Sequence, residues 1–150
     1  MSNTVKRPDF KAKYDNYIDG KFTAPIKGNY FDVVSPIDGK VFTQAAHSTK
    51  EDIELAVDKA HEAFQTWEKT SATERSILLN KIAQKIEDNL EYLAAVETVD
   101  NGKPIRETLA ADMPLVIDHF RYFASVIRAE ESSIAELDSN TVSIALSEPL

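Results

Sequence analysis

The sequence contains no cysteine and only four glycines, and each shortage excludes a class of protein. Without cysteine there is no disulfide framework, and a cytoplasmic location is the default expectation. Four glycines are too few for the glycine-rich loop that cradles phosphates in dinucleotide-binding and P-loop proteins. We therefore predict no cofactor-binding residue within this chain.

Long apolar runs and a basic face are also absent. No run approaches the roughly 18 apolar residues of a transmembrane helix, and the first eight residues lack the apolar segment of a secretory signal. The formal net charge is -8 at pH 7. An acidic chain of this kind argues against nucleic acid or an anionic membrane as a partner.

What remains is an ordinary globular composition, with 43% hydrophobic and 28% charged residues in 150. Residues 1–13 are polar and weakly basic, which predicts a mobile tail. Asp19-Gly20 between short apolar-polar segments predicts a type I′ hairpin. A second hairpin is predicted from Phe31–Val34 and Val41–Ala45, around a turn that contains Pro36.

Helices are predicted next. Ser48 with Glu51 fits a capping box, and Thr49 with Asp52 is an overlapping alternative. Apolar residues at helical spacing follow, Ser71 with Glu74 repeats the capping pattern, and Asn89 marks a break.

A third apolar seam follows Pro104 and consists of Leu109, Met113, Val116, Phe120, Phe123 and Ile127. Pro114 interrupts it, so either the helix kinks or a new helix starts with Asp112 as its cap. We favour a kink or short break because the seam keeps its phase. Alternation over Thr141–Leu146 predicts a terminal strand.

The segment Glu97-Thr98-Val99-Asp100-Asn101-Gly102-Lys103-Pro104 joins the second and third helical regions. Gly102 supplies the positive φ that commonly ends a helix, and Pro104 suits the start of the next. Asp100 and Asn101 can bond to the local backbone. By its residues alone, this is a well-capped corner between helices.

The corner also resembles one found near the N-terminus of the aldehyde dehydrogenase superfamily. Further motifs in the same order share the resemblance: residues 17–22, 34–40, 120–124 and 148–150. Residues 106–112 and 117–123 are most similar to those of bacterial acetaldehyde dehydrogenases. The resemblance covers roughly residues 14 to 150.

The resemblance implies an α/β parent fold with a Rossmann-like cofactor domain, and an NAD(P)-dependent enzyme that oxidises short aliphatic aldehydes to carboxylic acids as a homo-oligomer. In that family a cysteine thiolate attacks the aldehyde, hydride passes to the nicotinamide, and a glutamate activates water. This chain has no cysteine. We therefore expect the N-terminal segment of an enzyme, mostly α with two short hairpins and a terminal strand, and we assign it no catalytic residue.

Within that segment, residues 14–138 are expected to belong to the cofactor-binding domain and residues 139–150 to begin an oligomerisation arm. The resemblance also implies a structural monovalent cation at the carbonyls of Val33 and Val34 and the carboxylate of Asp100, although Asp100 can equally act as a local cap. Ala111 and Leu115 would line the outer part of the aldehyde channel. The alternative to an enzyme segment is an independent small helical module that binds a partner helix through the third seam.

Overall fold

The computed structural model describes residues 6–146, in which short strands precede a run of helices and a last hairpin closes the chain. The strands are β1 (Lys13–Tyr14), β2 (Asn16–Ile18), β3 (Lys21–Thr23), β4 (Tyr30–Val34), β5 (Val41–Ala46), β6 (Ser133–Asp138) and β7 (Thr141–Ala145). The helices are α1 (Lys50–Trp67), α2 (Ala72–Asp88), α3 (Leu90–Asn101), α4 (Ile105–Glu107) and α5 (Met113–Ala129), with a π-helical turn at Thr108–Asp112. None of the described helices combines the length and apolarity needed to cross a membrane.

The first two hairpins form as predicted. Strands β2 and β3 pair antiparallel, and their turn has φ 54° at Asp19 and 73° at Gly20. Two consecutive positive φ angles are what a type I′ turn requires. Strands β4 and β5 also pair antiparallel, with a bulge between Val33 and Val34.

Part of the segment predicted to be a tail is attached to the second hairpin. β1 pairs parallel with the free edge of β5, and the ring of Phe10 packs edge-on against Phe42 at 4.7 Å. Residues 1–5 lie outside the described part. The expectation of a tail over residues 1–13 therefore missed these contacts, because a single aromatic residue in a polar segment carries no periodicity.

Helix α1 begins with the second of the two caps that the sequence allowed. The Thr49 N–H donates to the Asp52 carboxylate at 2.7 Å, and the Ile26 N–H donates to the other carboxylate oxygen at 2.8 Å. Ser48 instead donates its hydroxyl to Asn16. The carboxylate therefore joins the loop before β4 to the start of α1.

The caps around α2 agree with the sequence. The Ser71 N–H donates to the Glu74 carboxylate at 2.7 Å, and Glu74 N–H donates to the Ser71 hydroxyl at 3.2 Å. Asn89 separates α2 from α3.

The helical core lies where α2 and α5 pack side by side. An ion pair between Arg121 and Glu87, at 2.5 Å, links their outer edges. The predicted seam on α5 is wrong in part: Ala124 is fully buried, whereas Phe123 is 56% exposed. Ala83 on α2 is also fully buried. A search for large apolar side chains overlooks small residues such as Ala124, which allow close helix packing.

The terminal strand is confirmed as β7, and it has a partner that the sequence analysis did not assign. β6 pairs with it antiparallel, placing Ile134 opposite Ile144. The expected boundary between residues 138 and 139 falls in the turn of this hairpin. The motif at residues 148–150 lies outside the described part.

Candidate functional site

The corner after α3 is held by contacts from both sides of the chain. Gly102 ends the helix with φ 78°, as predicted, and its N–H donates to the Thr98 carbonyl. The fully buried Ser35 donates its hydroxyl to the Val99 carbonyl at 2.6 Å. A Cβ on Gly102 would lie 2.8 Å from Cγ of Pro36. The turn of the second hairpin is therefore seated directly on the corner.

Local polar contacts stiffen the same corner. The Asn101 side chain accepts a hydrogen bond from the Lys103 N–H at 2.8 Å and donates to the Glu97 carboxylate at 2.9 Å. Asn101 thus makes the backbone bond that the sequence predicted for this position. Asp100 is exposed to solvent beside it.

A cavity of about 670 Å³ lies between the β1–β5–β4 sheet and helices α2, α3 and α5. Its walls are mainly apolar and aromatic, and Glu97 and Asp100 contribute carboxylates. Val33 and Asp100, two of the three predicted cation ligands, both line it. Val34 follows Val33 across the bulge and is half exposed. The structure thus brings Val33 and Asp100 to one cavity, and Val34 is not among the residues that line it.

The oxygen donors near this cavity fit a hard cation, which prefers carboxylate and carbonyl ligands. Among residues 6–146 there is no cluster of three or more His, Asp or Glu side chains that could hold a metal ion. A cation at this place would therefore depend on main-chain carbonyls, as the predicted set does.

The two residues predicted for the aldehyde channel lie elsewhere. Ala111 belongs to the π-helical turn and is exposed, and Leu115, in the first turn of α5, is 54% exposed. Neither lines the cavity beside Asp100. Both side chains are exposed to solvent in the structure.

The four glycines of this chain do not form a phosphate-binding loop. All four glycines have positive φ, and they serve separate turns and the end of α3. None forms part of a glycine-rich loop that leads into a helix.

Sequence reasoning missed three residues that organise this region: Ser35, Thr98 and Thr108. The two threonine hydroxyls lie 3.0 Å apart. Ser35 bonds to Val99, which lies 64 positions later in the sequence. Ser35 precedes a proline and reads as an ordinary turn residue. Its hydrogen bond to the Val99 carbonyl is visible only in the three-dimensional structure.

The fold of this segment is shared with solved structures, among them one described as a putative aldehyde dehydrogenase from Burkholderia cenocepacia, with a TM-score of 0.84 and 36% sequence identity. Another is a PnpE crystal structure in complex with nicotinamide adenine dinucleotide, with a TM-score of 0.83 and 37% sequence identity. The match covers 87% of this chain and 27% of that one.

Curated relatives agree with the structural likeness. An aldehyde dehydrogenase from Deinococcus radiodurans is 61% identical over 94% of this chain. A long-chain-aldehyde dehydrogenase from Acinetobacter sp is 59% identical and acetaldehyde dehydrogenase 2 from Cupriavidus necator is 50% identical, each over 94% of the chain. The chain spans only 27–28% of the length of these three relatives.

The model of the aldehyde dehydrogenase family matches residues 22–150. This chain belongs to the aldehyde dehydrogenase family.

Proposed function

We propose that the chain is the N-terminal segment of an NAD(P)-dependent aldehyde dehydrogenase that oxidises short aliphatic aldehydes to carboxylic acids. The observation that carries the proposal is the 61% identity to the Deinococcus radiodurans enzyme over nearly the whole chain. The cofactor, NAD or NADP, is supported by the dinucleotide in the PnpE complex. A cytoplasmic homo-oligomer, with residues 139–150 at the start of its oligomerisation arm, completes the proposal.

Substrate length is the finer part of the proposal. The relatives bear names for both long-chain aldehydes and acetaldehyde. The small Ala111 and the medium-sized Leu115 would border the outer part of the channel. Apolar side chains of this size suit short aliphatic aldehydes, since each methylene changes binding by about 1–3 kcal/mol in a fitted pocket.

The 150 residues by themselves are expected to be inactive. The sequence offers no cysteine to act as the nucleophile, and its glycines fit no phosphate loop. Purified chain mixed with acetaldehyde and NAD should form no NADH above a blank without protein. Turnover by the chain would contradict this part of the proposal.

A chimera tests the activity itself. This chain would replace the matching segment of the Deinococcus radiodurans enzyme, and NADH formation would be followed with aldehydes of two to eight carbons. We expect the chimera to be active. Its kcat/KM should favour the short aldehydes more strongly than that of the unaltered parent. A folded chimera without aldehyde oxidation would overturn the proposed function, whereas an unchanged chain-length profile would overturn only the substrate assignment.

We also propose a structural monovalent cation at the carbonyls of Val33 and Val34 and the Asp100 carboxylate. Support comes from the shared cavity of Val33 and Asp100 and from the bulge in β4. In the chimera, sodium or potassium chloride should raise the melting temperature above that in tetramethylammonium chloride. Asp100→Asn should abolish that difference, and Asp88→Asn, at the end of α2, should retain it. An equal melting temperature in all three salts would overturn the site.

A further inference from the structure

The π-helical turn changes which residues of the third helical region face the core. Thr108 is fully buried, Met113 is 7% exposed and Ile117 is 4% exposed. The step from Thr108 to Met113 is five residues, and the next step is four. A turn with i to i+5 bonding produces this spacing, and the Met113 N–H donates to the Thr108 carbonyl.

An uninterrupted α-helix would place different residues on the buried face. Counting from Thr108, positions three, four and seven residues later would share its side. Those positions are Ala111, Asp112 and Leu115. Instead, Ala111 and Leu115 are exposed. The extra residue in the π turn therefore directs both side chains outward.

The hydroxyl of Thr108 holds the inner side of this turn. It donates to the Ile105 carbonyl at 3.1 Å, which uses its single proton. It must then accept at the 3.0 Å contact with the Thr98 hydroxyl. Thr108 thus ties the π turn to α3, just before the corner.

An ion pair holds the outer side. Lys103 Nζ lies 2.5 Å from the Asp112 carboxylate, and this hydrogen bond raises the pKa of Lys103 above its ordinary value. Pro114 lies two residues after Asp112. Because Pro114 has no N–H to donate to the Ala110 carbonyl, widening the helix here loses one α-helical hydrogen bond fewer than it would elsewhere.

We propose that Thr108 is a positioning residue for the aldehyde entrance: by fixing the π turn, it sets the direction in which Ala111 and Leu115 face. This inference rests on the proposed function, since the entrance itself is part of that proposal. Thr108 touches no substrate. It acts by setting which residues of the helix face the core and which face outward.

The test uses the chimera with the Deinococcus radiodurans enzyme. Thr108→Val keeps the shape and removes the hydroxyl, and Thr108→Ser restores it. Thr66→Val is the matched control, because Thr66 makes the same hydroxyl bond to a carbonyl three residues back, on the surface of α1. The measured quantities are kcat and KM for acetaldehyde and hexanal, together with the melting temperature.

We expect Thr108→Val to change the ratio of the two KM values by about threefold or more while kcat changes less. Thr108→Ser and Thr66→Val should keep the original ratio. A lower melting temperature with an unchanged KM ratio would overturn the proposal, because it would show a structural role only. An unmodified chimera that folds without oxidising aldehydes would instead overturn the proposed function.

Lys103→Met keeps the proposal testable if Thr108→Val does not fold. This exposed substitution removes only the ion pair on the outer side of the π turn. It should shift the KM ratio in the same direction by a smaller factor. No shift in a folded Lys103→Met chimera would overturn the proposal.

Discussion

The corner after α3 and the β6–β7 hairpin differ sharply in how far their side chains are buried. At the corner, Ser35 and Thr108 are fully buried and Val99 is 5% exposed. In the hairpin, Ile134 is 72% exposed and Ile144 is 60% exposed. The corner is closed by residues that the chain itself supplies, whereas the apolar side chains of the hairpin have no cover among residues 6–146.

The difference shows which parts of the segment are self-sufficient. Two-stranded hairpins are marginal in water unless they pack against a larger surface. Ile134 and Ile144 lie opposite each other in the hairpin, so they present one apolar face. A hairpin of this kind is suited to an interface, and this agrees with the proposed oligomerisation arm.

The largest effect should follow from Gly102→Ala. Its φ of 78° strains any residue with a Cβ, and that Cβ would lie 2.8 Å from Pro36. We expect the free energy of unfolding to fall by roughly 2–4 kcal/mol in urea titration. Gly28→Ala is the matched control, with φ 66° and no atom within 4 Å, and should cost about 1 kcal/mol. Equal losses would show that the contact with Pro36 is unimportant.

Ser35→Ala should have the next largest effect. It leaves the Val99 carbonyl without the hydroxyl that now donates to it at 2.6 Å. A buried carbonyl that loses its partner costs about 1–3 kcal/mol. Ser125→Ala removes a hydroxyl bond to a carbonyl on the exposed surface of α5 and should change stability by less than about 0.5 kcal/mol. A Ser35→Ala protein as stable as Ser125→Ala would contradict the tight corner.

Asp52 gives a pH-dependent test at a third place. Hydrogen bonds from the backbone of Thr49 and Ile26 lower its pKa below the ordinary 3.8. A carboxyl with a lowered pKa stabilises the fold above the unfolded-state pKa, and this is lost as the pH falls through the folded-state value. The stability difference between wild type and Asp52→Asn should therefore be largest near neutral pH and shrink below pH 3.8. A difference independent of pH in thermal melts would contradict this assignment.

Much of the fold follows from local sequence signals, because those signals act over a few residues. Asp19-Gly20, the Ser71 cap, the break at Asn89 and the positive φ of Gly102 are all confirmed. Each depends on a backbone preference that neighbouring residues do not override.

The contacts that organise the candidate site were less predictable. The bond from Ser35 to Val99 and the partner of β7 depend on tertiary structure. The π turn was the hardest to foresee. Pro114 correctly marked an irregularity, but spacing alone could not distinguish a kink from an inserted residue. The predicted seam consequently included Val116 in place of Ile117.

The smallest effect on stability should come from Ile144→Lys, because the side chain is already exposed. We expect less than about 0.5 kcal/mol in the free energy of unfolding. The isolated wild-type chain should self-associate in sedimentation velocity and bind a dye for apolar surfaces, and Ile144→Lys should reduce both. A monomeric wild-type chain without dye binding would favour an independent helical module.

Native-state hydrogen exchange on the isolated chain tests the contrast between corner and hairpin most directly. At a concentration where sedimentation shows monomer, amides of α3 up to Gly102 should exchange only through global unfolding, since the corner is closed by its own chain. Amides of β6 and β7 should exchange nearly as fast as in an unstructured peptide. Equal protection of the hairpin and the corner in the monomer would contradict the account.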